Sequence, residues 1–104
     1  MNLYTQNMNN IFKIVNVEPE GKIDFVFSGD ESECEISIID KYTDLVVHKT
    51  NIWLTQDMTY WISTGEKNAK RLKNVIFRVS YNGENYDEEL NFFGENSVGF
   101  IFLN

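Results

Sequence analysis

From Ile11 onward the chain alternates apolar and polar residues in short runs separated by turn residues. Residues 22–28 place Ile23, Phe25 and Phe27 on one side. Residues 33–38 place Cys34, Ile36 and Ile38 on one side, with charge or hydroxyl opposite. Successive strand side chains leave on opposite faces, so a period of two marks a sheet with one buried and one wet face. Residues 11–17 are rich in β-branched side chains and stop at a turn carrying Pro19 and Gly21. Residues 29–32 and 40–44 turn the chain again. Residues 45–55 read as two short strands or one bent strand. Residues 58–63 set Met58, Tyr60 and Ile62 on one face. Residues 64–72 are the longest stretch without a strand pattern and are expected to hold a helical turn. After a turn at 94–96, Val98, Phe100 and Phe102 close the pattern as a last strand.

The most specific local signal is Asn82-Gly83 between the runs 75–81 and 84–90. A two-residue type I′ turn needs positive φ at both central residues, which Asn and Gly tolerate best. Counting outward pairs Tyr81 with Glu84, Val79 with Tyr86, Arg78 with Asp87 and Val75 with Leu90. It also sets Phe77 against Glu88, a conflict that a bulge near Glu88 or a bend into water would relieve. Eight strand candidates with frequent turns and no sustained helical period predict an all-β, antiparallel sandwich. An immunoglobulin-like sandwich of about 7–8 strands is the expected form, without the inter-sheet cysteine pair. It occupies residues 11–104, with 1–10 as a flexible polar arm.

Composition narrows the chemistry. The 104 residues suit one domain. A net charge of −7 disfavours nucleic acid and anionic membrane as partners. One Cys rules out an internal disulfide, and one His a multi-histidine metal site. The first ten residues lack the basic and apolar regions of a secretory signal. The longest apolar run, 100–103, is far short of the roughly 20 residues that span a bilayer. No Gly-x-Gly occurs. Gly94 and Gly99 have P-loop spacing, but Phe100 and Ile101 follow where Lys and Ser or Thr are needed.

Cys34 and His48 are the only nucleophile or soft-ligand candidates. Cys34 has core parity and His48 lies beside Lys49 in an alternating strand, so they read as a core cysteine and a surface histidine. No catalytic residue, metal ligand or cofactor is therefore expected, and the chain reads as a non-enzyme. Acidic residues gather at Asp30, Glu31, Glu33 and Glu35, and at Glu84, Asp87, Glu88 and Glu89. Calcium needs six to eight oxygen ligands and EF-hand spacing is absent, so charged outer faces are the expected use. Lys67, Lys70, Arg71 and Lys73 form the one basic patch, either a solvated loop or a contact to an acidic partner or a second copy. Trp53 is placed in the core, with an exposed interface position as the alternative. Trp61 has the opposite parity to Tyr60 and is exposed unless both faces of its strand are buried. The candidate interaction surface is therefore Trp61, Trp53, Lys67, Lys70, Arg71 and Lys73.

The run 21–29, with 36–40, 44–48 and 58–62, resembles small immunoglobulin-like modules of tailed-bacteriophage particles over about residues 11–103. The polar arm and an Asn-rich, nearly Cys-free composition are similar too. The resemblance implies a non-enzymatic structural protein, an auxiliary capsid (decoration) or accessory virion protein. Its place would be the virion, and the host cytoplasm during assembly. Its partners would be other virion proteins or copies of itself, not nucleic acid or membrane. No functional residue carries over. The alternative expectation is a carbohydrate-binding or adhesion module that uses exposed aromatics on a glycan.

Overall fold

The computed structural model describes residues 10–18, 21–63, 74–92 and 100–102. These contain eight strands: β1 (Phe12–Val17), β2 (Lys22–Phe27), β3 (Ser32–Asp40), β4 (Val46–Leu54), β5 (Thr59–Ser63), β6 (Asn74–Tyr81), β7 (Glu84–Phe92) and β8 (Phe100–Phe102). They form two antiparallel sheets, β1-β2-β5 and β4-β3-β6-β7-β8. Residues 1–9 of the arm, the expected helical turn at 64–72, the turn at 94–96 and Val98 lie outside the described residues.

The alternation read from the sequence becomes the core. Phe12, Ile14, Ile23, Phe25, Phe27 and Ile62 from the smaller sheet meet Cys34, Ile36, Ile38, Leu54, Val75, Phe77, Val79 and Leu90 from the larger. Phe77 joins the layers, its ring centroid 5.2 Å from those of both Phe12 and Phe25. Burying one such ring contributes about 1.5–3 kcal/mol, so this apolar contact makes two sheets into a sandwich.

The β6–β7 hairpin has the expected turn, with Asn82 at φ 51° and Gly83 at φ 79°. Its pairing runs from Tyr81↔Glu84 through Val79↔Tyr86 and Arg78↔Asp87 to Val75↔Leu90. The expected bulge near Glu88 is absent: Phe77↔Glu88 pair in an unbroken register. Glu88 is half-buried, not lifted out by a kink. Five strands cannot all be covered by three, so the inner face of β7 stays partly wet and its carboxylate needs no break in the ladder.

Within residues 45–55 the chain takes the second expected form, a single strand, β4 (Val46–Leu54), with an irregular start. The β3–β4 register slips between Ile38 and Ile39, passing over Val47. The slip lets Val47 pack against the core while Val46 is exposed. The turn before it closes with the Tyr42 amide donating to the Asp40 carboxylate at 3.0 Å and Asp44 at φ 64°. Met58 departs from its expected place with Tyr60 and Ile62. It precedes β5 and is exposed, because Asp57 at φ 65° turns the chain there. The backbone still extends the sheet there: the Met58 carbonyl accepts from the Phe27 amide at 3.2 Å, and the Asp57 amide donates to the Phe27 carbonyl at 2.7 Å.

The connections sort to two ends. The β2–β3 and β4–β5 loops and the Asn82-Gly83 turn share one end, and the β1–β2 and β3–β4 turns the other. Tyr81 ties the first end together, its hydroxyl accepting from the Asp30 amide at 2.8 Å. Glycine is required beside it: a Cβ at Gly29 would lie 2.8 Å from Phe27 Cζ and 3.0 Å from Tyr81 Cζ.

Candidate interaction surfaces

Trp53 takes the exposed one of its two expected places, not the core. Leu54 and Ile52 take the inner side of β4, and strand alternation turns Trp53 outward onto the larger sheet, where it pairs with Glu33. The side chain is 57% exposed, and its indole Nε1–H donates to Glu31 Oε2 at 2.7 Å. Asn51 sits opposite Glu35, and Lys49 Nζ lies 3.5 Å from the Glu35 carboxylate.

Trp61 is exposed on the outer face of the smaller sheet, opposite Asp24. The Lys22 ammonium stands 5.2 Å from its ring, a cation–π contact. Lys22 is itself held 3.9 Å from Asp24 and 3.8 Å from Glu18, and Asn16 Nδ2 donates to Asp24 at 3.3 Å. Each tryptophan thus has one polar anchor, Glu31 for Trp53 and Lys22 for Trp61.

The two tryptophans do not share a surface. They stand on outer faces of different sheets, with the core between them. Lys67, Lys70, Arg71 and Lys73 lie outside the described residues. Sequence reasoning missed an apolar group at the opposite end, where Tyr42, Leu45 and Val46 are exposed. Its signal was Leu45 and Val46 directly after the turn residue Asp44.

Cys34 is buried, and burial pushes its thiol above the ordinary range because a thiolate there would lose its hydration. His48 is half-buried opposite Ile38, four residues along β3 from Cys34, so the strands keep the two apart. Of the eight clustered acidic residues, Glu35, Asp87 and Glu89 answer cations. Arg78 donates to Asp87 through Nε at 2.8 Å and Nη2 at 3.0 Å, and Lys41 pairs with Glu89. Those bonds raise the pKa of Arg78 and of Lys41. Among the described residues no group of three His, Cys, Asp or Glu is placed to hold a metal ion.

The fold is that of an antiparallel two-sheet β-sandwich. Compared with known proteins, the chain matches no family model, no curated protein and no solved structure.

Proposed function

We propose that this chain is a structural interaction module of a multi-protein particle: an immunoglobulin-like accessory or decoration protein of a tailed-phage virion. The observation that carries the reading is the pair of exposed, polar-anchored tryptophans on opposite faces of a rigid sandwich. Fixed aromatic side chains give large contact area at low entropic cost, and they dominate binding energy in protein interfaces. A small domain with one anchor on each broad face suits a component set between neighbours. The phage assignment rests on the resemblance in strand pattern and composition. Purified chain is expected to bind assembled particles, and mass spectrometry to find it in virions. Binding should weaken at least tenfold in Trp53→Ala or Trp61→Ala, the cost of a typical aromatic anchor. No affinity for particles and absence from virions would end this reading.

A second reading draws on Trp61 alone. Asp24 pairs opposite the indole, Lys22 stands over its ring, and Asn16 hydrogen-bonds Asp24 one strand further, a row of polar groups beside Trp61. Such a platform suits a sugar, whose apolar face stacks while its hydroxyls are bridged. Glycan-array binding that is lost in Trp61→Ala and kept in Trp53→Ala favours it over the particle role.

A further inference from the structure

We propose that β4 pairs antiparallel with β4 of a second copy of this chain, about a two-fold axis at Asn51. The proposal refines the partner class of the particle role; it rests on that reading's Trp53 and adds the open β4 edge and its register.

β4 is an edge of the larger sheet. Edge strands expose unpaired backbone N–H and C=O groups that another strand can take up. The other edges offer less. The β1 register is broken between Ile14 and Asn16, β5 has five residues and β8 has three. β4 has nine residues, none of them proline, Asp or Glu. Its register slip is confined to the Val46–Val47 start, so His48–Leu54 runs straight.

The register follows from symmetry. A two-fold axis normal to the sheet keeps each face on its own side, so the numbers of paired residues must add to an even total. Centring on Asn51 pairs the whole straight stretch. Asn51 meets the partner's Asn51, Thr50 the partner's Ile52, Lys49 the partner's Trp53 and His48 the partner's Leu54. Centring on Lys49 would oppose two ammonium groups.

Charge supports the same register. Trp53 stands between Glu33, its cross-strand neighbour, and Glu31, its hydrogen-bond acceptor. Neither carboxylate has a cationic partner among the described residues. The pairing brings Lys49 of one copy, exposed beside its own Glu35, onto the indole of the other and next to those two carboxylates, and does so twice by symmetry. A lysine over tryptophan gains cation–π energy, and the carboxylates add attraction. Across the axis the two Asn51 side chains, both exposed, can exchange amide hydrogen bonds.

A seven-residue strand pair covers less than a standard interface of about 1,600 Å², so the association should be reversible and concentration-dependent. The test is light scattering and sedimentation of the full chain across the micromolar range. Wild type is expected to shift from monomer to dimer with concentration. Asn51→Lys places an ammonium beside Glu35 of its own β3 but opposes two ammonium groups across the axis. It is expected to remain monomeric with an unchanged melting transition. Asn51→Cys is expected to cross-link rapidly on mild oxidation while Asn85→Cys, on the outer face of β7, does not. The native thiol Cys34 is buried and silent in this assay. A wild-type monomer throughout, an undiminished Asn51→Lys dimer, or equal cross-linking of the two cysteine variants overturns the pairing. Should Asn51→Lys fail to fold, the cysteine pair decides alone. A monomeric chain that still binds particles removes this pairing and leaves the particle role intact.

Discussion

The two hairpins of the larger sheet are built by different means. β6–β7 turns in two residues, Asn82 and Gly83, both at positive φ, and then pairs without a break from Tyr81↔Glu84 to Asn74↔Asn91. β3–β4 turns through residues 41–45, has one left-handed residue, Asp44, and slips its register at Ile38/Ile39. A tight turn with fixed dihedrals dictates which residues face each other. A longer turn leaves that choice to packing, and here packing spends one residue to set Val47 against the core. The difference also marks the surface. The unbroken hairpin is interior on the β6 side, while the slipped one ends in an open edge carrying Trp53.

If packing dominates even in the hairpin with the tight turn, its largest sensitivity lies away from the turn. Phe77 is fully buried and touches both Phe12 and Phe25 across the sandwich. Phe77→Ala is expected to cost about 3–5 kcal/mol, from lost transfer energy and an unfilled cavity. Urea unfolding followed by tryptophan fluorescence measures it. A loss under about 1 kcal/mol would mean that turn and ladder hold the hairpin without the core.

The turn itself should matter less. Nothing lies within 4 Å of a Cβ built at Gly83, so Gly83→Ala meets no clash and pays only for its left-handed φ of 79°. The expected cost is about 1–2 kcal/mol in the same unfolding experiment. A cost equal to that of Phe77→Ala would reverse the ranking of turn and core.

These two positions also explain what was legible in the chain. The β6–β7 register was readable because Asn82-Gly83 is a local code and every pair follows from it by counting. The core side of β2 and β3 was readable because strand alternation is local as well. The slip at Ile38/Ile39, the turn at Asp57 that displaces Met58 and the choice of the Ile52 and Leu54 side of β4 as the inner one, which leaves Trp53 outside, are set by strand pairing, and residue spacing does not carry that. Glu88 shows the same limit. Its conflict with Phe77 was visible, but the relief comes from a three-stranded sheet leaving β7 partly uncovered, a property of topology. The candidate surface was legible only as exposed aromatics. That its two tryptophans face opposite ways required knowing that β4 and β5 belong to different sheets.

The smallest effect separates the hairpins by their charges. In β6–β7 the Arg78–Asp87 pair is internal to the hairpin, whereas Lys41 reaches from the β3–β4 turn to Glu89 on β7. The Lys41 contact is therefore a tie between hairpins. Its hydrogen bond to Glu89 raises the lysine pKa in the folded state above the unfolded value of about 10.4. A cation with a raised folded pKa stabilises the fold fully below the unfolded value, and the contribution fades as pH rises through the folded one. Lys41→Met should thus lower the urea midpoint slightly at neutral pH, and the gap to wild type should close at alkaline pH. Both side chains are solvent-accessible, which screens the pair and keeps the effect small. A gap that persists unchanged well above the lysine range would assign the loss to packing of the lysine stem instead. The slipped hairpin would then be held against β7 by apolar contact, as β6 is held by Phe77.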